Sequence, residues 1–195
     1  MRLVKSDEWI APIRVRTPLM GEGEMATLGL VSRLCVGLKG TVAELGVYRG
    51  ASTYILSHAL PSKTIHVFDT FAGFPKETVK VEEQHFADGL PTFDRDETLT
   101  FLKNLPNVVV YPGVFPGTAR SLLDKKFCFA HFDADLYMPT KAFIDFFWPR
   151  LVFGGVLLFH DFGWSNTPGV EQALRETELD VISLGNGQVM AQKRS

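Results

Sequence analysis

The sequence predicts a doubly wound α/β fold, in which helices cover both faces of a mostly parallel, seven-stranded sheet that ends in an antiparallel hairpin. Short apolar segments of strand length alternate with segments of helical periodicity, as they do in parallel sheets with crossover helices. Polar residues close several of the apolar segments, where ligands bind in such sheets. A Gly-Asn-Gly turn between two short segments near the C-terminus indicates the final hairpin.

Composition and charge are those of an ordinary globular protein. The 195 residues are 46% hydrophobic and 22% charged, with a formal net charge of −2, which suits one domain with a substantial core. Because basic residues are scattered, we expect no nucleic-acid or membrane-surface partner. The first residues do not resemble a secretory signal, and no apolar run reaches the ~20 residues of a membrane span. Cys35 and Cys128 stand in apolar runs and are predicted to be buried thiols, which favours a cytoplasmic protein.

The predicted elements divide a single domain over residues 1–195. Residues 1–22 lack periodicity and are interpreted as an arm rather than a core element. Apolar spacings of three to four predict a helix over 24–38. The other elements are strands over 41–45, 64–68, 108–111, 127–132 and 156–159, helices over 52–60, 139–147 and 170–177, and a hairpin of 180–184 and 189–192. Residues 71–97 interrupt the alternation, and a segment of this length favours a functional lid over a disordered insertion.

The turn after the first strand is the first candidate site. It reads Glu44-Leu45-Gly46-Val47-Tyr48-Arg49-Gly50, and its glycines allow a tight turn and a close approach to a ligand. The helix that follows would offer free N–H groups, with Ser52 or Thr53 as its cap. The glycine spacing is not that of dinucleotide binders. Taken alone, the turn suits an ordinary strand–helix connection as well as a cofactor site.

Asp69 closes the second predicted strand. In Rossmann-like units, an acid at this point accepts hydrogen bonds from ribose hydroxyls. The glycine turn and Asp69 together therefore favour an adenosine-bearing cofactor over a solvated carboxylate at a strand end.

A third group of polar residues follows the fourth and fifth predicted strands, and comprises Asp133, Asp135, His160 and Asp161. Oxygen-rich groups from adjacent strand ends suit a hard cation such as Mg²⁺, whereas a neutral imidazole shifts the preference toward a transition metal. Two alternatives stay open, namely that Asp135 caps the next helix and that His160 only packs. His131, inside the fourth strand, is predicted to be a core residue or a hydrogen-bonding partner of the site.

Four segments resemble the macrocin O-methyltransferase family. They are Val42-Ala43-Glu44-Leu45-Gly46-Val47-Tyr48-Arg49-Gly50, Phe68-Asp69-Thr70-Phe71-Ala72-Gly73-Phe74-Pro75, Phe132-Asp133-Ala134-Asp135-Leu136-Tyr137, and Pro149-Arg150-Leu151-Val152-Phe153-Gly154-Gly155-Val156 with His160-Asp161. The resemblance covers roughly residues 22–192. The first motif is generic to methyltransferases, whereas the second and third are more specific to this family.

The resemblance implies a class I methyltransferase that moves a methyl group, with a metal's help, from S-adenosylmethionine to a hydroxyl. The acceptor would be a small molecule, often a sugar of a natural product, and a homodimer is compatible with the family. The implied cofactor residues are Glu44, Gly46, Val47, Tyr48, Gly50, Ser52, Asp69, Thr70 and Asp133. Glu44, Gly46 and Gly50 would line the methionine end, and Asp69 would hold the ribose.

The same resemblance also implies which residues bind the metal and which are catalytic. Asp133, His160 and Asp161 lie where the family places its metal ligands, for which Mg²⁺ is expected. The implied catalytic residues are His85, Asp133 and His160, with His85 about where the family carries a candidate basic histidine.

The pair His160-Asp161 departs from the family, which usually carries two adjacent acids there. The metal site is therefore expected either to persist with an altered preference or to be weakened. Two other functions stay open. Asp133-Ala134-Asp135 matches the Asp-x-Asp metal motif of nucleotide-sugar glycosyltransferases, and the departure is compatible with a catalytically silent binding module. Acceptor specificity is expected in segments that carry Trp9, Phe86, Phe93 and Trp164.

Overall fold

The computed structural model describes residues 7–16, 18–89 and 91–194. Its strands are β1 Thr41–Leu45, β2 Ile65–Asp69, β3 Val108–Pro112, β4 Phe127–Phe132, β5 Leu151–Phe159, β6 Val181–Ser183 and β7 Val189–Gln192. They form one sheet in the order β3-β2-β1-β4-β5-β7-β6. The first five strands are parallel, whereas β7 is antiparallel to β5 and β6. The predicted fold class is therefore confirmed.

The helices cover both faces of this sheet. They are α1 Asp7–Ile10, α2 Glu22–Ser32, α3 Ala51–Ala59, α4 Gln84–Gly89, α5 Arg95–Lys103, α6 Tyr137–Phe147 and α7 Pro168–Arg175. One apolar layer joins residues of α2, α3 and α5 to the sheet, and a second joins α6 and α7 to its other face. The helix expected over 24–38 ends at Ser32 and continues as a 3-10 turn over Arg33–Cys35. None of the helices in the described ranges is long and apolar enough to span a membrane.

Strand register aligns the carboxyl ends of four strands. Leu45 lies opposite Phe68 on one side and opposite Phe132 on the other, and Phe132 lies opposite Phe159. The residues that follow, Gly46, Asp69, Asp133 and His160, therefore stand in one row along the edge of the sheet. This row is where a parallel sheet binds its ligands.

Three side chains of residues 9–13 pack in the core, whereas an arm outside the core was expected over residues 1–22. Trp9, Ile10 and Ile13 are buried in the first apolar layer. The Trp9 ring lies 2.5 Å from where a Cβ on Gly29 would be, so the glycine makes room for the indole on α2. Trp9 is thus a packing residue rather than an acceptor contact. Residues 1–6 and 17 of the expected arm lie outside the described residues.

The segment 71–97 is anchored to α6 and α7 through Glu83. The Glu83 side chain is 3% exposed, and its Oε1 accepts a hydrogen bond of 2.8 Å from the Tyr137 N–H at the start of α6. The same oxygen lies 2.0 Å from where a Cβ on Gly169 in α7 would be. Glu83 therefore fills a space that only glycine leaves open. That the segment acts as a lid stays a prediction.

Candidate active site

The carboxyl ends of β1, β2, β4 and β5 surround a cavity of about 380 Å³. This volume lies within the roughly 300–1,000 Å³ range of small-molecule sites. Its wall combines the turn between β1 and α3, the polar residues that close the strands, and aromatic side chains of the 71–97 segment. Pro18, Leu19 and Met20, just before α2, complete one side. The predicted gathering of sequence-distant residues at one crevice is thus present.

The glycine turn approaches the end of β4 at backbone distance. Gly46 has a φ of 89°, and a Cβ on it would lie 1.9 Å from the Asp133 carbonyl oxygen, so only glycine fits. The Asp133 N–H donates a hydrogen bond of 2.8 Å to the Leu45 carbonyl. Gly46 and Val47 line the cavity, and so do Tyr48 and Ser52.

Gly50 serves the start of α3 rather than the cavity wall. It has a φ of 83° and is the residue before the helix, which carries no side-chain cap. The expected cap by Ser52 or Thr53 is therefore wrong. Gly50 is not among the residues that line the cavity, and its place beside the cofactor stays a prediction. The spacing of three residues between Gly46 and Gly50 follows from the turn, which is closed by a hydrogen bond of 2.8 Å from the Gly50 N–H to the Val47 carbonyl.

Glu44 is not among the residues that line the cavity, and its place at the methionine end of the cofactor stays a prediction. Its side chain is fully buried beneath the turn. Oε2 accepts a hydrogen bond from the Thr53 hydroxyl, and Oε1 lies 3.0 Å from His131 Nδ1. His131 is buried as predicted and is the partner of this carboxylate. Glu44 therefore connects β1 to α3 through Thr53 and to β4 through His131.

Asp69 braces the glycine turn as well as facing the cavity. Oδ2 accepts hydrogen bonds from the N–H groups of Val47 at 2.7 Å and Tyr48 at 3.1 Å. Oδ1 accepts one from the Phe71 N–H at 2.7 Å. Burial raises the pKa of this carboxyl, and the three donors act in the opposite direction. Asp69 and Thr70 both line the cavity, in agreement with a place beside a cofactor.

Asp133, His160 and Asp161 bring their ligand-type atoms within 4.8 Å of one another. His160 Nδ1 lies 3.1 Å from Asp133 Oδ1 and 2.8 Å from Asp161 Oδ1. These short distances lack hydrogen-bond alignment, and both ring nitrogens and Asp161 Oδ2 are buried without a hydrogen-bond partner. Two carboxylates and an imidazole that converge in this way fit a divalent cation.

Backbone strain marks the same loops. Asp135 and Asp161 adopt left-handed conformations, with φ of 61° and 64°. Each costs a non-glycine residue about 1–3 kcal/mol and is typical of functional sites. Asp135 lines the cavity and does not cap α6, whose N-cap Leu136 carries no side-chain hydrogen bond. The helix-cap alternative for Asp135 is therefore wrong.

Burial and neighbouring charges shift the pKa values of this group. Burial opposes the imidazolium of His160, but the carboxylates of Asp133, Asp161 and Glu24 outweigh it and raise its pKa. His160 in turn lowers the pKa of Asp133 against the effect of burial. Burial and the neighbouring Asp161 and Asp133 raise the pKa of Asp135 well above its usual range. A cation bound among these groups would offset the same excess of negative charge.

Two site residues carried no signal in the sequence. Glu24 lies on α2 and places Oε1 3.2 Å from His160 Nε2. Arg16 binds both carboxylate oxygens of Glu97 on α5, at 2.8 and 3.0 Å, and its Nε donates to the carbonyl of Arg49 in the glycine turn. A capping pattern over Gly21-x-x-Glu24 predicts only a helix start, and nothing in a single sequence pairs either residue with the cavity.

His85 is not brought to the cavity. It is exposed on α4, whereas its neighbour Phe86 lines the wall. Phe93 and Trp164 also line it, and their contact with an acceptor stays a prediction. The assignment of His85 as a general base stays a prediction that the geometry of the described residues does not support.

The sheet order, the glycine turn and the acid that closes β2 define a class I methyltransferase fold around this cavity. Residues 43–162, more than half of the chain, match the family described as "Methyltransferase domain". The chain belongs to this family and is an S-adenosylmethionine-dependent methyltransferase. This result overturns the glycosyltransferase alternative. No curated protein matches the chain.

Solved structures support the fold at low sequence identity. The O-methyltransferase NovP aligns with a TM-score of 0.72 at 20% identity, covering 87% of this chain and 81% of its own. The calicheamicin methyltransferase CalS11 aligns with 0.73 at 19%, covering 98% and 86%. An O-methyltransferase from Bacillus cereus in complex with SAH aligns with 0.67 at 15%, covering 98% and 93%. The narrower macrocin family stays a prediction.

Proposed function

We propose that this methyltransferase acts on a hydroxyl oxygen of a small molecule and uses a divalent cation to hold that hydroxyl. The proposal rests on one observation, namely that the glycine turn with Asp69 and the group of Asp133, His160 and Asp161 line the same cavity. A methyl donor and a cation-held acceptor would thus meet within one space. The NovP and Bacillus cereus structures, both described as O-methyltransferases, support oxygen as the acceptor atom.

The cofactor half of the cavity would work mainly through backbone groups. Gly46 puts no side chain between the turn and the ligand's methionine end, the Val47 side chain packs in the first apolar layer, and Ser52 adds a hydroxyl. Asp69 can accept hydrogen bonds from ribose hydroxyls on the lone pairs that its backbone donors leave free. Because Asp69 also holds the turn, the ribose and methionine ends would be positioned by one carboxylate.

The acceptor half would orient the hydroxyl for in-line attack on the sulfonium methyl. Asp133, His160 and Asp161 would hold the cation, which when bound lowers the pKa of an attached hydroxyl and fixes its direction. The protein's own contribution is alignment of acceptor and donor, worth a large part of such a barrier. Phe86, Phe93 and Trp164 would cover the reacting groups and exclude water.

The acceptor is proposed to be a small molecule and includes sugars among its candidates. The apolar and aromatic wall, which also contains Phe74 and Phe115, suits the apolar face of a sugar or a planar ring. CalS11 is described as a TDP-rhamnose 3'-O-methyltransferase, which supports a sugar hydroxyl here by similarity. A cytoplasmic location, a homodimer and the absence of nucleic-acid and membrane partners stay predictions.

Calorimetry and turnover test the proposal together. We expect S-adenosylmethionine and its demethylated product to bind, and methyl transfer to a panel of sugars and phenols to require a divalent cation. Asp69→Asn should weaken cofactor binding about tenfold or more, because a charged acceptor is lost to the ribose and to the turn. Asp145→Asn, at an exposed position on α6, is the matched control and should leave affinity unchanged.

Three outcomes would count against the proposal. No binding of either cofactor form at millimolar concentration would overturn the cofactor assignment. Full turnover after chelation of all divalent ions would overturn the metal's role. Cofactor and cation binding without turnover on any hydroxyl would instead favour the silent binding module.

A further inference from the structure

His160 presents its two ring nitrogens to different parts of the site. Nδ1 faces Asp133 and Asp161, at 3.1 and 2.8 Å from their Oδ1 atoms, whereas Nε2 faces Glu24 Oε1 at 3.2 Å. The imidazole is 8% exposed, and neither nitrogen makes an aligned hydrogen bond with the described residues. A buried imidazole in this position can bind a cation through the lone pair of one nitrogen while the N–H of the other donates to a carboxylate.

Glu24 is held in place for the second of these roles. Its Oε2 accepts a hydrogen bond of 2.6 Å from the Gly21 N–H at the start of α2, which commits one carboxylate oxygen to the helix. The other oxygen points to His160, and the side chain is 13% exposed. Glu24 stands outside the group of three whose ligand atoms converge. It therefore contacts the ligand set from outside rather than forming part of it.

We propose that Glu24 is a positioning residue of the metal site, which accepts the Nε2–H of His160 and thereby presents Nδ1 to a first-row transition ion held with Asp133 and Asp161. The inference rests on the proposed function, because it requires a cation in this group. An ionised carboxylate is an acceptor only, so it selects the tautomer with the proton on Nε2 and the lone pair on Nδ1. Carboxylates in this relation to a metal-bound histidine fix the ring and increase its basicity.

The donor set decides which ion this site takes. Mg²⁺ prefers an octahedron of oxygen atoms and keeps several waters, whereas imidazole nitrogen suits ions such as Co²⁺ and Zn²⁺. The chain puts an imidazole at a position where two adjacent acids would give an all-oxygen set. With Glu24 fixing its lone pair toward the cation, His160 is a ligand rather than a substitute that merely packs.

Metal titrations of the full chain, freed of metal by chelation, test the first part. We expect the preference for Co²⁺ over Mg²⁺, expressed as the ratio of their dissociation constants, to fall at least tenfold in His160→Asp. Glu24→Leu should weaken Co²⁺ binding about 10- to 100-fold and shift the visible absorption of bound Co²⁺. Glu24→Gln should fall between Glu24→Leu and the unmodified protein, because its amide oxygen still accepts a hydrogen bond. Glu22→Gln, on the same helical turn but exposed, is the control and should change neither quantity.

A long-range ¹H–¹⁵N spectrum of the Zn²⁺-loaded protein tests the tautomer without any variant. We expect His160 to carry its proton on Nε2 and the metal on Nδ1. The reverse tautomer would overturn the inference, and so would Glu24→Leu and Glu24→Gln proteins whose Co²⁺ affinity and spectrum match the unmodified protein. Absence of any cation binding, with cofactor binding intact, would overturn both the inference and the metal's part in the proposed function. Cation binding indifferent to Glu24 and His160 would overturn the inference alone.

Discussion

At the scale of single residues, the site depends most on the contact between Gly46 and the Asp133 carbonyl. Every side chain at position 46 would begin with a Cβ 1.9 Å from that oxygen and would also be strained at the φ of 89°. Neither atom can move alone, since both belong to backbone at the ends of adjacent strands. The position is therefore fixed by geometry before any ligand is considered.

Gly46→Ala should destabilise the protein by about 2 kcal/mol or more and abolish measurable cofactor binding, because the turn must shift to relieve the clash. Urea unfolding and calorimetry check the two effects. Gly117→Ala, where a Cβ would meet nothing within 4 Å and the φ is not positive, is the matched control and should be close to neutral. A stable Gly46→Ala protein with unchanged affinity would contradict the expected close approach.

At the scale of elements, the glycine turn is held in place by segments that are distant from it in the sequence. Arg16, from the 3-10 turn after α1, bridges Glu97 on α5 and the Arg49 carbonyl, and its guanidinium stacks 3.8 Å from the centre of the Phe101 ring. The guanidinium lowers the pKa of the half-exposed Glu97 carboxyl. The Arg16 side chain is itself largely buried, so this bridge is more than a surface ion pair.

Replacing Arg16 with Gln should lower the free energy of unfolding by about 1–3 kcal/mol and weaken cofactor binding, since the Arg49 carbonyl loses a charged donor. Chemical unfolding and cofactor titration measure the two effects. Arg14, two residues before Arg16, forms an exposed ion pair with Glu22. Arg14→Gln is the control and should lower the free energy of unfolding by less than about 1 kcal/mol. If the two substitutions lowered the free energy of unfolding equally, burial of Arg16 would contribute nothing to stability.

The 71–97 segment offers a second prediction at this scale. Glu83→Ala removes the acceptor of the Tyr137 N–H and leaves a gap against Gly169, so the segment should open more often. If opening becomes easier by about 1–1.5 kcal/mol, limited proteolysis within the segment should accelerate about tenfold. Glu82→Ala, at the exposed neighbour, should leave the rate unchanged. Identical cleavage of all three proteins would mean that Glu83 does not anchor the segment.

At the scale of the whole molecule, stability should depend on the pH through His66. Burial, together with the charge of Lys125, lowers the pKa of this histidine, whose Nδ1 lies 3.1 Å from the Tyr111 hydroxyl. Its folded pKa therefore lies below the unfolded value near 6.5. As the pH falls below about 6.5, the unfolded chain takes up the proton first, and stability is lost until the lowered folded pKa is reached.

The slope attributable to one proton is at most about 1.4 kcal/mol per pH unit. We expect His66→Gln to remove this part of the slope when unfolding is followed between pH 7.5 and 5 in the presence of a chelator. His58→Gln, at an exposed histidine, should retain it. An unchanged slope in His66→Gln would assign the loss of stability to other groups.

What the sequence could predict follows from regular geometry. Apolar runs and their polar closing residues placed β1, β2, β4 and β5, and parallel strands put Asp69, Asp133 and His160 at one edge. The contacts of Glu24, Arg16 and Glu83 could not be predicted, because contacts from helices and coil have no fixed register with the sheet. The buried pair of Glu44 and His131 could not be predicted either, because a strand's alternation does not say which face carries such a pair.

The backbone contact between Gly46 and Asp133 has a thermodynamic consequence. It joins the turn that is proposed to hold the cofactor to the strand end that is proposed to hold the cation, so we expect the ordering of one by its ligand to order the other. Conformational entropy lost when the first ligand binds would then not be lost again for the second, and we expect positive cooperativity between cofactor and cation without a change of shape. By linkage, if the cofactor increases cation affinity by a certain factor, the cation would increase cofactor affinity by the same factor.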